Sequence, residues 1–493
     1  MKKGIPSGSL TLEQALSRYQ PYLSAEDYAR LKLSAEQPAA TAIRVNLLKS
    51  KHPQADLAHW AWEYGWQVSP LPFSESSEQI NAYQTSPTQT IEHRLGYYYI
   101  QDGASILPVS LFDSQKPAKL TLDMAASPGG KTTQLVDLTL DQGFVFANDS
   151  SASRLPALKI ILQQWGAVNA GIFNFAGEKI GFWFPEKFDR VLLDAPCSME
   201  SLRTSPSRQF REITADERNR LASRQLDLLI SAVSAAKPGG EIVYSTCSLA
   251  PEEDEMVLDQ FLRHFPGLVQ VDSTAAKKYG TLALSAFGDE HFLPEVSGAL
   301  RIWPFSFNTN GFFAAKLIKL TSMPQNPLRK PSREFAATGF TRCDFAERSQ
   351  VKAMLQNWYG VKLDKISELQ HLGLFKKLNN LYLLPEAYLQ NFSTLPYYAL
   401  GLPLGRLFSG ELEVTAEFIG RYGSEFSQGF LVLTSEQVKP WLNGLDLRDP
   451  KNIAPAGSNV LAIRDQEGHN LGAGKIIPGR LRNLLPNYNL RLG

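Results

Sequence analysis

Cysteine is scarce: the 493 residues include Cys197, Cys247 and Cys343 and no other. Three thiols cannot build a disulfide framework, and without a CxxC pair or a histidine cluster no zinc-ligand spacing is present. Reduced thiols and no bound metal are the expectation. Long apolar runs are missing as well. The N-terminal stretch MKKGIPSGSLTLEQALSRYQ turns polar after two lysines, and interior candidates such as LDLLISAVSAA are too short and too interrupted by Ser to span a bilayer. A cytoplasmic chain with no membrane partner is expected. Excess charge of one sign is also missing: 50 Lys and Arg face 49 Asp and Glu, so the net charge is +1. That balance neither demands nor excludes nucleic acid, and such a partner must be met by local patches. One candidate is the acid-free C-terminal stretch GKIIPGRLRNLLPNYNLRLG, with Lys475, Arg480, Arg482 and Arg491; another is PLRKPSR at 327–333. Each reads equally well as a solvated face.

What is present is enough chain for about three domains, each able to bury a core. Residues 1–95 open with two capped helical segments, Thr11 with Gln14 and a second start at Ser24. From 96 to 320, short β-branched or apolar runs alternate with helical ones, the pattern of a parallel sheet with crossover helices. KLTLDMA, GFVFAND, NAGIFNF, FDRVLLDAP and GGEIVYSTC are the strand candidates, and LRIWPF with GFFAAKLIKL reads as a closing hairpin. Residues 321–333, rich in Pro and charge, read as a linker. An α-rich segment over 334–389 and a Gly-rich, strand-like region over 390–493 follow. No internal repeat or low-complexity tract is present.

Chemistry concentrates at four strand ends. LDMAASPGGKTTQL runs from a strand ending at Asp123 through a small-residue loop into a helix beginning near Lys131, so backbone and a helix N-terminus can face a ligand. The loop is neither GxGxxG nor GxxxxGK[ST], which disfavours a dinucleotide and removes the P-loop. Asp149 ends the second strand, where an acid can hold ribose hydroxyls or, more plainly, cap the next helix. Asp194 and Cys197 lie just past the fourth strand and Cys247 just past the fifth. Ligands of open α/β sheets bind outside the carboxyl ends of the strands, so both thiols and Asp194 are predicted to converge on the Gly-rich loop.

In order and spacing, DMAASPGGKTTQ, DAPCS and YSTCSLAPEEDE closely resemble the motifs of the NOL1/NOP2/Sun family of RNA cytosine-C5 methyltransferases. RVN at 44–46, YYYIQDGAS from Tyr97 and RIWPFSFNTNGFFAAKL from Arg301 fit the same frame. The resemblance implies an α/β, Rossmann-like class I S-adenosylmethionine-dependent methyltransferase with an N-terminal α+β extension and a C-terminal PUA-like RNA-binding region, similar to bacterial members acting on 16S ribosomal RNA. It implies S-adenosylmethionine as cofactor, held by Ala125, Ala126, Ser127, Pro128, Gly129, Gly130, Lys131, Asp149 and Asp194. It implies 16S ribosomal RNA or the small ribosomal subunit as partner, with RNA gripped by 1–95 and 390–493, and a monomeric enzyme. Cytosine C5 is too weak a nucleophile for a methyl sulfonium until a thiolate adds to C6. Chemistry alone lets either thiol attack. The resemblance makes Cys247 the nucleophile, Cys197 the helper in product release and Asp194 the carboxyl at N3, with Lys131 the positive neighbour that favours a thiolate.

The sequence departs from the family at several places. Ala176 stands where an Asp usually reaches the adenine amino group, DAPCSMES replaces DAPCSGEG through Met199 and Ser201, Arg203 comes one place early, and Asn310 replaces an Asp. Glu252, Glu253, Asp254 and Glu255 read as helix-dipole partners, and Cys343 reads as structural. The rivals are a catalytically silent ribosome-assembly protein, a C5 methyltransferase acting on another RNA such as tRNA, and an N-methyltransferase, which would need no thiol.

Overall fold

The structure, a computed structural model, describes residues 12–203, 213–324, 328–366, 372–408, 410–448 and 458–486. Thr11 and Arg491 lie outside these. The N-terminal part builds a four-stranded antiparallel sheet from β1 (Thr41–Val45), β2 (Gln67–Leu71), β3 (Ser74–Ala82) and β4 (Tyr98–Asp102), in the order β2-β3-β1-β4. Ser24 caps helix Ala25–Ala35 by accepting the Asp27 amide. Strand β4 lies beyond the expected boundary at 95/96, yet it pairs with β1 and so completes the N-terminal sheet.

The central sheet contains β5 (Leu120–Asp123), β6 (Phe144–Asn148), β7 (Ala170–Phe173), β8 (Phe188–Asp194), β9 (Ala236–Thr246) and β10 (Val269–Val271). Its order is β10, Phe312–Lys319, β9, β8, β5, β6, β7, Ala399–Leu400, and Leu300–Ile302 pairs with Phe312–Lys319 as the expected hairpin. The pairs from β9 through β7 are parallel, and Phe312–Lys319 inserts antiparallel beside β9. Strands β5, β6 and β7 are buried at every residue, as continuous apolar strands covered on both faces must be. One face packs the helices carrying Leu135, Leu158 and Leu162, and the other packs those carrying Ile180, Leu229 and Phe261. This is the Rossmann-like α/β fold, with the chain reversing direction across the sheet between β5 and β8.

The segment 334–389 carries strands as well as helix. Beside helix Phe345–Tyr359, the strands Thr341–Arg342, Leu372–Lys377 and Asn380–Pro385 pair with Leu402–Phe408 and Glu411–Val414 in a five-stranded antiparallel sheet. The division expected at 389/390 falls inside helix Glu386–Phe392, because strand partners distant in sequence leave no mark on local periodicity. Cys343 is buried in this unit's core, where desolvation raises its thiol pKa to about 11, as suits a structural residue. A second five-stranded sheet, Phe430–Val432, Val460–Arg464, Asn470–Ile477, Arg480–Asn483 and Leu447–Arg448, ends the chain. No helix among the described residues is long and apolar enough to cross a membrane.

Candidate active site

The loop after β5 makes a cradle. Gly129 adopts a φ of +127°, which side-chain-bearing residues rarely adopt, and a Cβ at Gly130 would come within 2.8 Å of the Tyr99 ring. Helix Gly130–Thr139 therefore begins pressed against β4 of the N-terminal sheet. A cavity of about 300 Å³ opens here, lined by Ala125, Ala126, Ser127, Pro128, Gly130, Lys131 and Asp194 from the central domain and by Tyr99, Ile100, Gln101 and Ser105 from the N-terminal side. Sequence reasoning missed these last four, although YYYIQDGAS contains them. Their signal was the run itself, since a strand on one sheet gives no hint that it walls a site on another.

Ser127 Oγ, Asp123 Oδ1 and Gln101 Nε2 are buried without partners among the described residues. Such unpaired polar atoms beside a helix N-terminus suit the amino, carboxyl and hydroxyl groups of S-adenosylmethionine. Asp123 is raised to about 7 by burial, against the Thr132 hydroxyl bond and with help from nearby Asp194. Asp149 does not line the cavity. Its Oδ2 accepts the Ser127 amide at 3.1 Å and its Oδ1 the Ser151 amide at 2.9 Å, with Arg154 3.4 Å away. It thus props the cradle from beneath and also opens the following helical turn. Ala176 precedes helix Gly177–Trp183 and offers no side-chain cap.

The N-terminal extension braces the cradle. Fully buried Arg44 donates to Asp137, to Gly130 O at 3.0 Å and to Thr133 Oγ1 at 2.7 Å, and stacks 4.8 Å from the Trp165 ring centre. Asn46 donates to the carbonyls of Gly96 and Trp165.

Lys131 Nζ lies 2.7 Å from Asp194 Oδ2, and Ser245 Oγ donates to Asp194 Oδ1 at 2.8 Å. Burial works against the lysine charge, but Asp194 above all, with Cys247 and Asp123, holds the ammonium pKa above its usual value. The two thiols meet as predicted, with Sγ atoms 3.2 Å apart. The bond to Cys247, then burial and the charges of Cys247 and Glu253, push the Cys197 thiol well up.

The acids after Cys247 depart from expectation. Helix Glu255–His264 starts only at the last of them, and Glu253, Asp254 and Glu255 are fully buried. Arg301 binds Glu255 at 2.5 Å and Asp254 at 3.3 Å, Arg18 binds Glu252 at 2.6 Å, and Glu253 bonds to the two cysteine turns. The turn Pro251–Asp254 folds beneath the end of β9, and its side chains point inward rather than along the helix axis.

Nothing in the structure explains Met199 in place of glycine, whereas Arg203 and Asn310 each have a local role. Met199 sits at φ +60°, the left-handed region that favours glycine, and is half exposed. Arg203 donates to Pro304 O and Asn308 Oδ1, so it ties the loop to the hairpin. Asn310 donates through its backbone and side-chain amide nitrogens to half-buried Asp102, where a second carboxylate would repel.

A family profile described as 16S rRNA methyltransferase RsmB/F matches residues 111–318. Ribosomal RNA small subunit methyltransferase F of Aeromonas salmonicida (strain A449) is 33% identical over 463 residues, covering 93% of this chain and 92% of that protein. The protein of the same name from Vibrio campbellii is 31% identical over 487 residues, covering 97% of each. Among solved structures, a methyltransferase homolog protein from Pyrococcus horikoshii superposes with a TM-score of 0.53 at 31% identity, covering 62% of this chain and 99% of its own. NSun6 from Pyrococcus horikoshii, with a TM-score of 0.51 at 19% identity over 62% of this chain and 98% of its own, shares the fold.

Proposed function

Because this chain belongs to the ribosomal RNA small subunit methyltransferase F family, we propose that it uses S-adenosylmethionine to methylate carbon 5 of a cytosine in 16S ribosomal RNA through a covalent cysteine adduct. The observation that carries this reading is the thiol pair, 3.2 Å apart, with Cys247 near the Lys131 that pairs with Asp194 in the cavity wall. N-methylation would have no use for two such thiols.

S-adenosylmethionine, when bound, supplies an electrophilic methyl group. Ala125 to Lys131 and Asp194 would hold it against Tyr99 and Gln101, with Asp149 fixing the loop from below. Cys247, facing the Lys131 ammonium, adds as thiolate to C6 of a flipped cytosine and makes C5 nucleophilic. Asp194, fixed by Lys131 and Ser245, presents its carboxyl to N3 and supports the charge that builds on the ring during addition. After transfer a solvent water takes the C5 proton, the C5–H electron pair re-forms the C5–C6 double bond, and the C6–sulfur bond breaks to release the Cys247 thiolate. Cys197, held at hydrogen-bond distance of Cys247, assists that release by sharing its proton with the departing sulfur.

The N-terminal extension and the C-terminal sheet, which we assign a PUA-like role, grip RNA outside the site, as base-flipping enzymes require. The test is to incubate the protein with methyl-labelled S-adenosylmethionine and either free 16S RNA or purified small subunits, then map the label. Label on cytosine C5 is the expected result. Label on a guanine, on an amine or on protein overturns the reading, and absence of transfer in both arms favours a silent RNA-binding protein.

A further inference from the structure

We propose that the cavity between the central sheet and the sheet containing Leu372–Lys377 and Asn380–Pro385 takes an unpaired nucleotide of the RNA, its base stacked on tyrosines and its flanking phosphates met by Lys159 and Lys377; the inference rests on the RNA methyltransferase reading above. The cavity measures about 570 Å³, within the range of small-ligand pockets. Lys159 and Gln163 of helix Leu155–Trp165 form one wall, and Tyr382, Tyr397, Tyr398 and Lys377 form the other. None of these residues lines the cofactor cradle. The same helix nevertheless serves both places, since its Leu158 and Ile161 lie beside Gly129. Backbone holds the floor: Tyr398 donates its N–H to Ile172 O at 2.7 Å and Gly401 donates to Ala170 O at 3.0 Å, which pins the segment between them to the sheet edge. Gly401, at φ +60°, then turns the chain away, and a Cβ there would fall 2.1 Å from Leu383 O.

The rings brace one another. Phe340 meets Tyr382 edge-on at 5.0 Å, Tyr397 lies 6.3 Å from Phe340, and Tyr388 meets Tyr397 edge-on at 5.8 Å. Tyr398 stands outside this cluster with 46% of its surface exposed, which leaves its ring accessible. The charges at the cavity favour an anionic guest. Lys159 and Lys377 make no ion pair among the described residues, whereas neighbouring Lys376 is bound to Glu347, and Glu417 is the single acid among the described lining residues. Lys377 Nζ lies 5.2 Å from the Phe340 ring centre, so a cation and an aromatic face stand side by side. Half-buried Gln163, whose side-chain amide takes no partner among the described residues, offers both a donor and an acceptor to a base edge. Proteins hold single-stranded nucleic acid with aromatic faces and nearby cations, because every base has a face to stack and every nucleotide carries a phosphate. A proline-rich peptide would use the rings and leave the lysines unanswered.

Binding and photocrosslinking of the full-length protein test this. Naked 16S RNA transcribed with 4-thiouridine is bound and irradiated, and crosslinked peptides are mapped by mass spectrometry; the peptide carrying Tyr397 and Tyr398 should be among them. Tyr398→Ala should weaken affinity for that RNA about fivefold or more, whereas Tyr398→Phe, which keeps the ring, should stay within about twofold of the wild type. Joint Lys159→Ala and Lys377→Ala substitution should lower the slope of log affinity against log salt by about one. S-adenosylmethionine binding, read by calorimetry, should be unchanged in these variants and so report that they fold. Wild-type affinity and slope in the alanine variants, with no crosslink in this peptide, overturn the proposal, and so does equal loss in Tyr398→Ala and Tyr398→Phe. Weakened binding to purified small subunits with unaltered affinity for naked RNA also overturns it, as the result a protein partner would give. The readout needs no methyl transfer: a crosslink at this peptide in a protein that transfers no methyl group would sink the proposed reaction and leave the nucleotide site standing.

Discussion

The acids at 252–255 and the bases of the C-terminal strands look alike in the sequence, each a run of one sign, but the fold uses them in opposite ways. Glu253, Asp254 and Glu255 are fully buried and lock the strand ends, whereas the described C-terminal bases stay near the surface, and Lys475 and Arg480 each pair with a single acid. Lys475 meets Glu413, and Arg480 lies 3.1 Å from Asp446 with about half its side chain exposed. The difference shows that a charge run reports nothing about burial. What decides is whether the backbone turns the run toward the core or leaves it at an edge, and the energies differ accordingly: a buried charge that loses its partner is costly, while an exposed pair contributes little.

The sharpest way to test the buried side is through the thiols it positions. Cys247→Ala should abolish methylation and form no adduct, while Cys197→Ala should accumulate protein covalently joined to RNA in the presence of S-adenosylmethionine, visible on denaturing gels. Adducts from Cys247→Ala instead would exchange the roles. Next, Arg301→Met should leave Asp254 and Glu255 buried without their cation and cost about 3–5 kcal/mol of stability, measured by urea unfolding. A cost below about 1 kcal/mol would place this cluster with the exposed pairs and erase the contrast.

Smaller effects sharpen the other side. Ala176→Asp should cap helix Gly177–Trp183 for about 1 kcal/mol, and tighten S-adenosylmethionine binding by at most about 1.5–3 kcal/mol; calorimetry reads both. Exposed Arg482 should contribute more to RNA binding than the paired bases do. Arg482→Ala should lower the slope of log affinity against log salt by about one, while Lys475→Ala and Arg480→Ala should change it less. The smallest effect concerns His469, whose Nδ1 lies 2.7 Å from Asp465 and whose Nε2 lies 3.8 Å from Glu92 of the N-terminal part. Burial opposes its charge, but Asp465 first and Glu92 after it hold its pKa above the ordinary 6.5. Its stabilisation is complete below pH 6.5 and fades as pH rises through the folded-state value. The melting temperature should drop slightly over that window, and His469→Gln should remove the dependence.

The parallel strands were legible because each is an apolar run ended by a polar strand end, and the same pattern placed Asp194, Cys197 and Cys247 at one edge. The start of helix Gly130–Thr139 near Lys131 and the hairpin closing with Phe312–Lys319 were legible for similar local reasons. Tyr99 and Gln101 were not, since their place in the cavity depends on how one sheet docks on another. The inward turn of Glu253 and the pairing of Asn380–Pro385 with strands on both sides of residue 390 share that cause: each depends on contacts distant in sequence.

Strand Ala399–Leu400 runs antiparallel along β7 and covers its outer edge. Without it β7 would be the sheet's outermost strand, offering open backbone groups next to Phe144 and Phe173, and open edges of this kind recruit other chains. During synthesis that edge stays bare until more than two hundred further residues have been made. The late strand thus acts as a seal against aggregation, and fragments ending before it should be prone to inclusion bodies even when the cofactor cradle is whole.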